Sequence, residues 1–226
     1  SLITATIFFT ACNQTGGGKQ KAPFVEGGAS LILSPDNLTI NVGAKTEDGS
    51  DIAVEGCEET KINANGWENG LRAKGTKVIL KGKITELDVS GSYENKQTLT
   101  ALNVQGLTSL QKLYCYHNQL TELNVQGLTA LQELQCGGNQ LTELNVQDCT
   151  ALQELICSSN QLTALNVQGL TALKGLYCGS NQLTELNVQS LTALKELACG
   201  SNQLNADAFK KLFDDLPVRA DSDDAK

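Results

Sequence analysis

Residues that carry chemistry are scarce in this chain. It has one histidine, His117, and one tryptophan, Trp67, among 226 residues. No G-x-S-x-G, P-loop or H-E-x-x-H phrase occurs, and a lone imidazole without an orienting partner and a nucleophile makes no catalytic site. No two cysteines stand three apart, which excludes the short ligand spacings of zinc sites. The sustained apolar run Leu2–Ala11 falls well short of the roughly 20 residues that span a bilayer. A net charge of −8 and a pI near 4.7 argue against a broad nucleic-acid footprint. The expectation is a non-enzymatic protein with no cofactor and no metal.

What the chain has in abundance is repetition. Cys115, Cys136, Cys157, Cys178 and Cys199 fall 21 residues apart, each inside the phrase L-x-x-L-x-C-x-x-N-Q-L. A fixed period over half the chain is the signature of a solenoid. In Leu113-x-Cys115 and its copies the apolar residues stand two apart, which places them on one face of a short strand, and one strand per unit stacks into a parallel sheet. Asn118, Asn139, Asn160, Asn181 and Asn202 follow the strand, where a buried amide ladder would satisfy turn backbone groups. The cysteines read as small buried hydrophobes with free thiols. Cys149, at a position that is leucine elsewhere, reads the same way.

The other half of each unit carries Leu102-Asn103-Val104 and its copies at Leu123, Leu144, Leu165 and Leu186. Its alternation predicts a second short strand, and there is no room for a helix of three turns. The Leu107, Leu128, Cys149, Leu170, Leu191 and Leu110 columns should fill the middle of a flattened coil.

Both ends of such a stack need caps. Residues 205–226 supply a helix, N-capped by Asn205 or Asp207, with Phe209, Leu212, Phe213 and Leu216 on one face, then a loose acidic tail. Residues 23–83 read as β-prone runs separated by turns, a β cap that docks on the first repeat; a separate small carbohydrate-binding domain is the alternative. Trp67 belongs to the cap core or serves as an interface platform. The repeats occupy 84–204. In residues 1–22 the apolar run leads directly into Cys12 and then a polar, glycine-rich stretch suited to a tether. Thr10-Ala11-Cys12 resembles a bacterial lipobox, which implies lipidation at Cys12; the alternative is an apolar strand of the cap.

Together, the lipobox-like start, the β cap, the 21-residue L-x-x-L-x-C-x-x-N-Q-L-T-x-L-N-V-Q units and the Leu212-Phe213-Asp214-Asp215-Leu216-Pro217 ending resemble leucine-rich repeat (LRR) lipoproteins of gut and oral Bacteroidetes. The resemblance implies an LRR solenoid of the α/β-horseshoe class, mostly β, and protein binding or adhesion at the cell surface. It places the protein in the cell envelope as an outer-membrane lipoprotein behind a signal peptide, with the membrane reached only through the lipid anchor. The units are also similar to those of internalins, which have longer repeats and a different cap.

Outward strand positions vary while the core columns hold. Tyr114, Gln135, Ile156, Tyr177 and Ala198 form one such column, and Tyr116, Gly137, Ser158, Gly179 and Gly200 the next. Variation on one face of a fixed scaffold is how solenoids specialise. Tyr114, Tyr116, His117, Gln135, Ile156 and Tyr177 are therefore the candidate partner-binding residues. His117, equivalent to Gly138, Ser159, Ser180 and Ser201, reads as exposed and solvated. Lys112, Glu133, Glu154 and Glu196 flank the surface, so a partner should bring positive charge. A protein partner is the first expectation. A glycan, stacked on Tyr114, Tyr116 and His117 with Trp67 as a further platform, is the alternative.

Overall fold

A computed structural model describes residues 20–64, 66–91 and 99–217. The N-terminal part is built from β1 (Gly28–Leu33), β2 (Thr39–Thr46), β3 (Ile52–Glu55), β4 (Lys61–Ile62), β5 (Gly66–Arg72), β6 (Lys77–Lys81), β7 (Ile84–Asp88) and β8 (Leu99–Asn103). Five one-strand units follow: β9 (Lys112–Tyr114), β10 (Glu133–Gln135), β11 (Glu154–Ile156), β12 (Gly175–Tyr177) and β13 (Glu196–Ala198). The helix α1 (Ala206–Asp214) closes the far end.

Two sheets carry this order. One runs β4-β3-β6-β1-β8; the other runs β13-β12-β11-β10-β9-β7-β2-β5. β7 pairs parallel with β9, Leu87 opposite Leu113, and antiparallel with β2, Ala44 opposite Leu87. The parallel sheet of the repeats therefore continues without a break into the antiparallel cap. β1 is buried along its whole length, as a Ser-Leu-Ile-Leu run with no polar alternation requires. A single apolar cluster extends from Ala29 through every repeat to Leu212.

The repeat columns behave as their chemistry dictates. Leu110, Leu131, Leu152 and Leu173 are fully buried, as are Leu113 and Cys115 with their copies through Leu176 and Cys178. The strands are short, but their pairing runs on past the last strand residue. The Cys115 N–H donates to the Gln135 carbonyl at 2.8 Å and the His117 N–H to the Gly137 carbonyl at 2.9 Å, a pattern repeated in the following turns. The asparagine ladder ties one turn to the next. Asn139 Oδ1 accepts from the Leu120 N–H at 3.0 Å, while its Nδ2 donates to the Cys115 and Cys136 carbonyls, both at 3.0 Å. Asn118, Asn160 and Asn181 make the corresponding bonds.

Two expectations need correction. The second short strand forms in the first copy only, where Leu102 and Asn103 end β8 and pair antiparallel with β1. In the four later copies no strand forms, because no described strand lies beside them to pair with. Asn124 Oδ1 accepts the Gln126 N–H at 3.0 Å, and the Val125 carbonyl accepts the Leu128 N–H at 3.2 Å. The first copy makes the same bonds, Asn103 Oδ1 accepting the Gln105 N–H at 3.1 Å, so they do not decide the outcome. The first copy differs because the cap offers it a strand to pair with.

The helix is the other correction. Asn205 is its N-cap, accepting the Ala208 N–H at 2.9 Å. Leu212 is buried and Leu216 packs partly against the core. Phe209 and Phe213, expected on the same buried face, are 48% and 58% exposed and instead stack edge to face on each other at 5.0 Å. The last turn offers α1 too little apolar surface to cover both rings.

Candidate interaction surface

The outward face of the long sheet presents two columns in strict register. Lys112, Glu133, Glu154, Gly175 and Glu196 stand side by side, as do Tyr114, Gln135, Ile156, Tyr177 and Ala198. Adjacent parallel strands put these columns about 4.8 Å apart per step, close enough for each long side chain to reach the next turn.

They reach it diagonally. The Tyr114 hydroxyl donates to Glu133, the Gln135 amide donates to Glu154 Oε1 at 3.3 Å, and the Tyr177 hydroxyl donates to Glu196. Lys112 Nζ lies 2.8 Å from Glu133 Oε1. The pattern breaks at one place. Ile156 has no donor to give, and the next-turn position is not glutamate but Gly175. A Cβ at Gly175 would lie 3.1 Å from Tyr177 Cε2, so the missing side chain is what admits the tyrosine ring. The result is a shallow notch of about 300 Å³ at Gly175, whose lining includes Glu133, Glu154, Lys174, Tyr177, Lys195 and Glu196.

The electrostatics follow from these bonds. Burial pushes the Tyr114 hydroxyl above its ordinary value, and the Glu133 carboxylate pushes it further. Tyr177 is pushed up to about 12, first by its bond to Glu196 and then by burial. At Glu133 burial pulls upward, but the Lys112 ammonium and Tyr114 hydroxyl outweigh it and hold the carboxyl below its usual value. Lys112 thus pairs the charge of Glu133, whereas Glu154 and Glu196 accept hydrogen bonds from the neutral Gln135 amide and Tyr177 hydroxyl.

The structure brings Tyr114, Gln135, Ile156 and Tyr177 together on this half-buried face. Tyr116 and His117 lie just beyond, their rings edge to face at 5.4 Å and 86°. His117 is not merely a solvated side chain. Its φ is +54°, and Ser159, Ser180 and Ser201 repeat this left-handed turn, a conformation that disfavours β-branched residues at this position. Its imidazole also occupies the space left by Gly138, where a Cβ would lie 2.6 Å from Nδ1. Gly175 was missed by the sequence reading; the gap it makes in the glutamate column, beside Ile156, was the available signal. The Trp67 side chain and Cys12 lie outside the described residues. Among the described residues no cluster of three or more His, Cys, Asp or Glu could hold a metal ion.

With the ladder, the turn and the columns in view, one comparison bears on them directly. A family model for leucine-rich repeats (2 copies) matches residues 108–148. Residues 108–148 carry leucine-rich repeats. Repeats of this kind are typically non-enzymatic protein-interaction modules. The solved structures similar to this LRR chain include the internalin InlF of Listeria monocytogenes, 33% identical, covering 47% of this chain and 33% of that one, with a TM-score of 0.44. InlJ of the same organism, whose functional domain is described as including a cysteine ladder, is 28% identical over 57% of this chain and 37% of its own, with a TM-score of 0.35. An LRR protein of Leptospira interrogans is 27% identical over 53% and 42%, with a TM-score of 0.38. The chain thus spans between a third and about two fifths of these structures. No curated protein matches it.

Proposed function

We propose that this LRR protein is a cell-surface recognition or adhesion module that binds a protein partner through the outward face of its parallel sheet. The observation that carries the reading is the notch at Ile156 and Gly175. Among the described strands it is the step at which the diagonal polar network opens, and it sets the Tyr177 ring among Glu133, Glu154 and Glu196, with Lys174 and Lys195 also lining it. Aromatic residues on a rigid scaffold give large contact area at low entropic cost. The carboxylates select a partner carrying lysine or arginine. The test screens the protein against protein and glycan arrays in parallel. Alanine at Tyr114, Tyr116 and Tyr177 should weaken a captured protein by about thirtyfold, the effect of losing anchors worth ~2 kcal/mol. Binding to glycans alone, or binding indifferent to these changes, would overturn the reading.

The same proposal places the protein in the outer membrane through a lipid on Cys12. Expressed with its full leader in a Gram-negative host, it should sediment with membranes, and Cys12→Ala should release it. Equal partition of both forms would remove the anchor from the account.

A further inference from the structure

The flank of the coil formed by the Leu-Asn-Val halves has a different construction from the strand face, and no role has yet been assigned to it. Its leucines, Leu102, Leu123, Leu144, Leu165 and Leu186, keep 5–7% exposure in every turn, whereas the core columns beside them are sealed. They floor a trough in two linked parts, each about 690 Å³, which share Ala164 and Asn166 and reach from Ala22 at one end to Lys211 of α1 at the other. Glu122, Glu143 and Glu185 form one wall. The asparagines of the same turns form the other.

Those asparagines are half committed. Asn124, Asn145, Asn166 and Asn187 each use Oδ1 to accept a backbone N–H two residues on, at 3.0–3.1 Å. That bond holds each amide in place and turns its Nδ2 donor outward. In the first turn the donor is occupied, and its occupant is polypeptide: Asn103 Nδ2 donates to the Ala22 carbonyl at 3.2 Å. The preceding residue, Lys21, sets its ammonium 3.2 Å from Glu122 Oε2. One turn of the trough thus holds a main-chain carbonyl on its asparagine, while the neighbouring lysine engages the glutamate wall. The next turns repeat the asparagine donor, and Glu143 and Glu185 repeat the carboxylate with Ala164 between them.

We infer that the trough is a second binding site, separate from the strand face, for an extended basic peptide segment. Main-chain carbonyls would be held by Asn124, Asn145 and Asn166, and lysine or arginine side chains by Glu143 and Glu185. At a step of ~4.8 Å per turn the ladder from Asn103 to Asn187 is ~19 Å long, the reach of about six extended residues. Glu143 and Glu185 stand two turns, ~10 Å, apart, and residues on one side of an extended chain recur every ~7 Å, so two flexible basic side chains two residues apart splay to meet both carboxylates. The leucine floor takes the aliphatic stems of those side chains, which bury while their charged ends stay in water.

The probe is a fluorescein-labelled eight-residue peptide of alternating lysine and alanine, with an alternating glutamine–alanine peptide as control, followed by fluorescence anisotropy on the whole protein. The lysine peptide should bind at least about tenfold more tightly than the control, as loss of charge-assisted contacts requires. Glu143→Gln with Glu185→Gln should abolish that preference. Asn145→Ser with Asn166→Ser is the decisive variant: serine can still accept the i+2 amide and so keeps the turn, but it has no donor that reaches the peptide. It should weaken binding about fivefold with an unchanged melting curve. Alanine at Tyr114 and Tyr177 should leave peptide binding untouched. Unaltered affinity in the serine variant, or loss of affinity in the tyrosine variant, would overturn the assignment. The second result would also return the basic partner to the strand face, so the two sites fail separately.

Discussion

Replacing Asn160 by alanine should destabilise the protein by about 3 kcal/mol, several times the effect of the same change at Asn145. Asn160 is buried, accepts the Leu141 N–H at 3.0 Å and donates to the Cys136 and Cys157 carbonyls, both at 3.1 Å. The two carbonyls keep a second partner each, from Asn139 and Asn181. The Leu141 N–H keeps none, so one orphaned buried donor costs ~1–3 kcal/mol, and the two bonds lost from carbonyls that stay partnered bring the total to about 3 kcal/mol. Asn145 is exposed and serves only its own turn, a role worth less than ~1 kcal/mol. Urea unfolding followed by circular dichroism separates the two. For a chain of this size the Asn160 change should lower Tm by roughly 6–12 °C. Equal effects at the two positions would mean that the ladder does not join the turns.

The cysteine column should be nearly inert in the native protein. Cys115, Cys136, Cys157 and Cys178 are fully buried free thiols, and Cys199, in the last turn, is partly exposed. Burial pushes Cys115 up to about 12 and Cys178 up to about 12, and drives Cys136 and Cys157 well above the ordinary thiol value. Alkylation needs the thiolate, so iodoacetamide at pH 8 should label Cys199 first and the four inner thiols only after denaturant is added. Rapid native labelling of Cys136 or Cys157 would contradict the strand register. Cys157→Ser should cost ~1–3 kcal/mol, because the new hydroxyl enters an apolar column without a partner.

Much of the fold was legible because a repeat states each instruction several times. Alternation around Leu113 and Cys115 points both inward, and an amide at Asn118 and its copies has a role only if buried. The Leu-Asn-Val half misled because the pattern of a strand is also the pattern of an extended turn. What decides between them is whether a backbone partner is present. β1 provides one to Leu99–Asn103, whereas no described strand lies beside Asn124 and its equivalents, although Asn103 and Asn124 make the same local bond. Phe209 and Phe213 misled for a related reason: helical spacing places them on one face but says nothing of how much surface that face meets. On the strand surface, alternation identified the outward residues. The bonds from Tyr114 to Glu133 and from Tyr177 to Glu196 join residues 19 apart, and they emerge only once register and side-chain reach are combined.

The most direct measurement is carbodiimide labelling of carboxylates, read by mass spectrometry, on the protein alone and with its captured protein partner. Binding at the strand face should protect Glu154 and Glu196 and leave Glu143 and Glu185 labelled as before. Protection of Glu143 and Glu185, with Glu154 and Glu196 unchanged, would contradict the account and move partner recognition to the opposite flank of the coil.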